Sequence, residues 1–474
     1  MPDPTSRRHG LSRRTFLERG ALAASALSFP IPLRTRSTQV QNEPPSVLVV
    51  IFLRGGQDAL NTIIPYRDKT YHEIRPTIAI GAEPVPDEEL KGVVRLDANW
   101  GLHPSLAPLF PLWEKKSLAP IVCCGSPHPT RSHFDAQDFM EYGAPGMPLK
   151  DGGWLNRYLR LTTGRRGKDD DLRAIAMQGL LPRSLRGDYP VLAVPERGAR
   201  RAGEYLDLFD DLYGEDAARA AVSGDKQKGD KQKGDKQKGD NEKSDKKGAS
   251  KRGKMSGDTM HGDASKRLEE DPVVASGRAT IETLRRYQEI VGRATRRARA
   301  NSNFPGGHLG PRLEDIAKII NAGAGLEVAC VDWNGWDHHA GQGGEDGRHA
   351  SMLRELAESI AAFFTEIGEH GKRTILCTMT EFGRTCHENG NSGTDHGHGG
   401  SMLLAGGGLR GGKVYGKFPG LEDKDLYQGR DLQVTTDYRD VMAELLVQHL
   451  MCGKLPADFF PEFRPSKAGV GLFA

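Results

Sequence analysis

No run in this sequence is apolar enough to cross a bilayer as an ordinary transmembrane helix, which needs roughly 20 apolar residues. The longest mild stretch near the start, "ALAASALSFPIPL" at 21–33, falls short. Cysteine is scarce as well. The six residues Cys123, Cys124, Cys330, Cys377, Cys386 and Cys452 form no C-x-x-C pair. Four of them lie in apolar, strand-like runs, where cysteine behaves as a small hydrophobe. A disulfide framework and a thiolate metal site are therefore not expected. A basic body is missing too. The net charge of +3 is concentrated in two segments, residues 1–36 with seven arginines against two acids and residues 224–254 with twelve basic against six acidic side chains. With these set aside the remainder carries −8, which argues against nucleic acid as a partner.

What is present is a globular core with much punctuation. Hydrophobic residues make up 37% of the 474, charged residues 27%, and 58 glycines with 28 prolines imply many turns. At the N-terminus "SRRTFLERG" places Arg13 and Arg14 before Phe16 and Leu17, ahead of the mild apolar run. This resembles a twin-arginine export signal, to be set aside before fold reasoning. It implies delivery of a folded protein to the periplasm or cell envelope. Residues 1–43 read as signal and linker. The five-residue repeat "GDKQK" from Gly224 has no apolar residue, and 223–268 reads as a disordered insert.

Between these, strands and helices alternate. "SVLVVIFL" at 46–53 is apolar on both faces, as a buried parallel strand requires. Further strands are expected at 117–124, 326–333, 373–380 and 400–408. Helices are expected at 104–116, 132–142, 279–300, 312–323, 349–371 and 438–450. The alternation predicts an α/β domain over 44–465 with a mostly parallel sheet and helices on both faces. Ligands in such sheets bind at the carboxyl ends of the strands.

Chemistry-bearing residues gather where those ends should be. Asp58 follows the first strand. "PTRSHFDAQD" follows the second and contains Arg131, Ser132 and His133. "NGWDHHAG" brings Asp337, His338 and His339; "EFGR" brings Glu381 and Arg384; "TDHGHGG" brings Asp395, His396 and His398. Carboxylates with imidazoles suit zinc, manganese and similar ions. The alternative for the same residues is a hydrogen-bonded polar network. A serine at a helix start can cap the helix, or meet an anion there. Trp333 and Trp336 flank the Asp337 segment and could stack on a sugar ring, or simply pack.

Five ordered segments, "LVVIFLRGGQDALNTIIPY", "HPTRSHFDAQDFMEYG", "GWDHHAG", "TEFGR" and "GTDHGHGGSMLLAGGGLRGGKVYG", resemble an exported family, domain-of-unknown-function 1501, over about 44–460 without the lysine-rich insert. That family is similar to the alkaline phosphatase and sulfatase superfamily. The resemblance implies an alkaline-phosphatase-like fold, one or two divalent ions (zinc or manganese), and hydrolysis of phosphate or sulfate esters. By position it makes Asp58, Asp337, His339, Glu381 and His396 metal ligands and Ser132 the nucleophile. Arg131 and Arg384 would clamp the anionic ester. His338, Asp395, His398 and His133 stand as supporting or alternative ligands. The sequence departs from the pattern at Phe382, where a ligand histidine would stand, in the short Asp337–His339 spacing, and in lacking the sulfatase Cys-x-Pro-Ser-Arg motif. Phe382 and the irregular spacing favour a second reading, a non-catalytic envelope protein binding a glycan or a protein partner, while the missing motif leaves a formylglycine mechanism unsupported; a third reading is a structural metal site in an interaction protein.

Overall fold

The structure, a computed structural model, describes residues 44–83, 92–147, 152–164, 172–194, 283–292 and 302–473. The twin-arginine segment and the lysine-rich insert lie outside the described residues, as do the flanks of the helix expected at 279–300.

Eleven strands are described. They are β1 (Val47–Arg54), β2 (Ile63–Ile64), β3 (Val94–Arg95), β4 (Gly101–Leu102), β5 (Leu118–Gly125), β6 (Ala174–Ala176), β7 (Leu192–Ala193), β8 (Val328–Asn334), β9 (Thr374–Met379), β10 (Gly400–Gly406) and β11 (Thr436–Asp437). The helices are α1 (Lys69–Ile74), α2 (Phe110–Glu114), α3 (His133–Tyr142), α4 (Trp154–Leu161), α5 (283–292), α6 (Gly310–Asn321), α7 (Arg348–Ile367) and α8 (Tyr438–Glu444).

Eight strands form one sheet in the order β11-β5-β10-β9-β1-β8-β6-β7, and β2-β4-β3 form a small second one. β1 is central and parallel to both β8 and β9. Its side chains alternate between two apolar layers. Val47, Val49, Ile51 and Leu53 face a layer with residues of α6 and α7, while Leu48, Val50 and Phe52 face one with residues of α3, α4 and α8. A strand buried on both faces cannot alternate apolar with polar, which is why the sequence reads as an unbroken run.

One strand departs from the parallel expectation. β10 runs antiparallel to both β5 and β9. Its entry therefore lies at the same edge as the exits of β1, β5, β8 and β9. The "TDHGHGG" loop thus reaches the common edge by preceding a strand rather than following one.

The expected helix at 104–116 is a 3₁₀ turn (Pro104–Leu109) leading into short α2. Pro108 and Pro111 remove N–H donors that a regular helix starting at Pro104 would use. The last helix continues beyond α8 as one π turn, Leu445–His449. α6 ends as anticipated, with Gly323 just beyond it at φ +65°.

A candidate metal centre at the sheet edge

Four segments meet above β1, β9 and β8. The first is the start of α3. Ser132 occupies its N-cap position but makes no side-chain cap bond, and His133 is the first helical residue. Behind it, Gln137 one turn on donates through Nε2 to Glu381 at 2.9 Å.

The second segment leaves β8 and turns sharply at Gly335 to present Asp337. Gly55, at the end of β1, sits against it with φ +127°. A Cβ on Gly55 would lie 2.4 Å from the Asp337 backbone nitrogen, so only glycine allows the approach. The third and fourth segments, 383–385 and 395–398, hold each other. Thr385 N donates to Asp395 O at 2.9 Å, Gly383 N to His398 O at 3.0 Å, and Gly397 N to Gly383 O at 2.8 Å. A Cβ on Gly397 would be 2.4 Å from the Arg384 carbonyl carbon. The glycines of "TDHGHGG" are there because two backbones touch.

Three histidines converge on Asp337. His133 Nε2 is 3.3 Å from Oδ2, while His339 Nε2 and His396 Nε2 are 3.0 and 3.2 Å from Oδ1. The two imidazoles of His339 and His396 also meet, Nε2 to Nε2, at 2.9 Å. Ligand atoms of His133, Asp337 and His396 all lie within 4.8 Å of one another.

The far nitrogen of each ring is held by an oxygen. His133 Nδ1 is 2.8 Å from Glu381 Oε1, His339 Nδ1 is 2.9 Å from Asp395 Oδ1, and His396 Nδ1 is 3.0 Å from the Arg131 carbonyl. Ionised carboxylates and carbonyls only accept hydrogen bonds, so each Nδ1 carries the proton and donates it. Each neutral ring then has its lone pair on Nε2. Two lone pairs at 2.9 Å repel unless a cation, a proton or a metal ion, lies between them. The separations of Asp337 from the three imidazoles and of His339 from His396, 2.9–3.3 Å, are close to the roughly 3.3 Å expected between neighbouring ligands at 2.0–2.1 Å from zinc. Backing of imidazole by carboxylate or carbonyl is also the usual support of a metal-ligating histidine. The residues fit a divalent ion held by His133, Asp337 and His396, with His339 beside Asp337 and His396.

Electrostatics follow the same lines. Burial raises the Asp337 pKa, but the Arg384 guanidinium, 2.6 Å away, outweighs it and keeps the carboxyl below its ordinary value. The hydrogen bond to Glu381 raises His133, whereas burial and the nearby His133 lower His396. Burial acts to raise Glu381, yet its bonds from His133 and Gln137 leave it lowered. Asp395 is lowered, first through His339. Phe382 is buried beneath the site, its ring centroid 4.9 Å from those of both His133 and His396. It forms an apolar floor where the resemblance places a ligand.

The remaining sequence candidates lie elsewhere or act differently. Glu381 is buried and saturated by Gly55 N, Gln137 and His133, so it orients a ligand rather than reaching the centre. Asp58 is buried against Arg75 and Gln342, each 2.6 Å from Oδ2. Burial pushes its pKa up, but Arg75 dominates and holds it at about 2. Arg384 is buried and bound to Asp337 and Thr394, and Arg131 pairs with Asp431 at 2.5 Å, so neither extends as a clamp. His338 is buried beside Trp336 and His349, and neither of its ring nitrogens has a hydrogen-bond partner among the described residues. His398 is buried and stacked on Tyr427 at 4.2 Å; burial lowers its pKa to about 4. Trp333 and Trp336 are buried and cannot stack on a sugar. His133, expected as a supporting or alternative ligand, turns Nε2 towards Asp337 and Nδ1 towards Glu381. His133 and Gln137 are one turn apart on α3 and share the face that meets Glu381.

A family described as a protein of unknown function (DUF1501) matches residues 314–452. That stretch includes Asp337, His339, Glu381, Arg384, Asp395 and His396, but not α3. Comparison with curated proteins finds none that matches the chain.

Proposed function

We propose that this chain is an exported, metal-dependent hydrolase of phosphate or sulfate esters, built on an alkaline-phosphatase-like scaffold. The observation that carries the metal reading is the set of three imidazoles, each with Nδ1 held and Nε2 turned to Asp337. Imidazoles with a carboxylate suit zinc best, with manganese the other candidate. Bound there, the ion would supply Lewis-acid stabilisation of the charge that gathers on the ester's oxygens.

The chain's own residues account for the rest. Arg384, Glu381 and Asp395 hold Asp337, His133 and His339 in place. Ser132 lies between Arg131, whose carbonyl holds His396, and His133 itself. Its hydroxyl is not spent on capping, so it is available to attack phosphorus or sulfur as the ester oxygen departs with a proton. Phe382 closes the floor against water.

The test is a panel of phosphate and sulfate esters offered to the full chain after reconstitution with zinc or manganese. Cleavage by the native chain, lost in His396→Ala with the fold retained by circular dichroism, supports the proposal. Unchanged turnover in that variant removes His396 from the mechanism. Metal retained without cleavage of any ester favours a binding protein on the same scaffold.

A further inference from the structure

A cavity of about 490 Å³ lies against α8 and shares no residue with the candidate centre. That size is within the roughly 300–1,000 Å³ of small-molecule sites. Three pieces of chain enclose it. α8 and the π turn after it supply Asp440, Ala443, Glu444 and Val447; the 453–455 loop supplies Lys454 and Leu455; a strap over 465–469 supplies Pro465 and Lys467. α8 can spend these residues on the cavity because Tyr438, Val441, Met442 and Leu445 already anchor it in the apolar layer beneath the sheet.

The four charged groups that line the cavity are not equally free. Asp440 and Glu444, one turn apart on α8, both hold the strap. Asp440 Oδ1 accepts Ser466 N–H at 2.7 Å. Glu444 Oε2 accepts the amides of Val470 and Gly471 at 2.6 and 3.1 Å, and Oε1 those of Leu472 and Phe473 at 2.7 and 3.2 Å. Gly469 permits this wrapping: its φ is +62°, and a Cβ there would lie 2.7 Å from Glu444 Oε2. Five backbone donors thus answer the two carboxylates, which can only accept. Lys454 and Lys467 differ, since neither has an ion-pair partner among the described residues.

We infer that this cavity binds a small amphipathic anion, an aliphatic carboxylate, with its head group at Lys454 and Lys467 and its arm on Ala443, Val447, Leu455 and Pro465. The formal charges of the lining sum to zero, so the anion is selected by which groups are free: the acids are answered by amides and the ammonium groups are not. The site stands apart from the metal-dependent reading and does not rest on it.

Calorimetric titration of the full chain near neutral pH tests this with octanoate, octylammonium and octanol, which share one arm and differ in head group. Octanoate should bind, and the other two at least about threefold more weakly. Lys454→Gln with Lys467→Gln should weaken octanoate by roughly three- to tenfold and leave the melting temperature unchanged, because both side chains are exposed. Lys454→Arg with Lys467→Arg keeps both charges and should keep the affinity. Asp337→Ala, altered only at the candidate centre, should also keep it. Octanol or octylammonium binding as tightly as octanoate overturns the anion. Octanoate that fails to bind, or binds undiminished to the glutamine pair, overturns the site. Binding lost in Asp337→Ala would place octanoate at the candidate centre and overturn it as well.

Discussion

Glu381→Gln is the substitution that best separates a metal centre from a polar network. The native carboxylate accepts Nδ1–H of His133 at 2.8 Å, the Gly55 amide at 2.9 Å and Gln137 at 2.9 Å. Glutamine keeps the shape and one acceptor oxygen but removes the charge that makes the imidazole a better donor to metal. Loss of such a supporting partner typically lowers metal affinity 10–100-fold, or about 1.4–2.8 kcal/mol. The chain should still fold, because the carbonyl oxygen can accept the same bonds. Glu381→Ala goes further, stranding the Gly55 amide and Gln137 at about 1–3 kcal/mol for each unsatisfied group. Competition for zinc against a chelator of known affinity, run beside thermal melts of the metal-free proteins, gives both quantities. An unchanged zinc affinity in Glu381→Gln would refute the assignment of His133 as a ligand held through Glu381.

Ser132→Ala should reduce ester turnover while leaving melting temperature and metal content unchanged, since the hydroxyl makes no cap bond; full turnover in that variant would assign the attack to water. Asp58→Asn should leave zinc binding intact but cost about 3–5 kcal/mol by leaving Arg75 buried without its charge partner, measurable by denaturant titration. The same pair gives an acid limb. With Asp58 held at about 2 against 3.8 unfolded, its stabilisation of about 2 kcal/mol is complete above the unfolded value and lost as pH falls through 2. Burial lowers His103 and His449 to about 4. Their contribution is therefore complete above the unfolded value of about 6.5 and declines as pH falls towards 4, by up to about 3 kcal/mol each. Chemical denaturation of the metal-free protein at pH 7, 5.5 and 4.5 should show that decline, and His449→Phe should flatten part of it.

The alternation of apolar strands and amphipathic helices was legible because β1, β5 and β9 are buried along almost their whole length and β8 as far as Val331, so their sequences are largely apolar. The reversed direction of β10 was not, because an apolar seven-residue run looks the same in either orientation. Asp337, His339 and His396 were identified from chemistry and position, and they do come together. Asp58 and Glu381 share that chemistry but lie in other surroundings. What distinguishes them is the partner each finds across the fold, Arg75 for one and Gly55 N with Gln137 for the other. Such partners are hundreds of positions away, or on another element, and leave no local mark. His133 went the other way. Flanked by Ser132 and Phe134, it reads as an ordinary helix start, and only the approach of α3 to Glu381 turns its ring into the centre.

Metal bound per chain, by elemental analysis of full-length protein purified without chelator, tests the central claim most directly. Asp337→Ala, whose carboxylate touches all three imidazoles, is the control. About one equivalent of zinc or manganese in the native chain, lost in Asp337→Ala with the fold retained, is the predicted result. No metal after reconstitution, or metal retained undiminished in Asp337→Ala, would contradict it and make the three histidines a hydrogen-bonded scaffold.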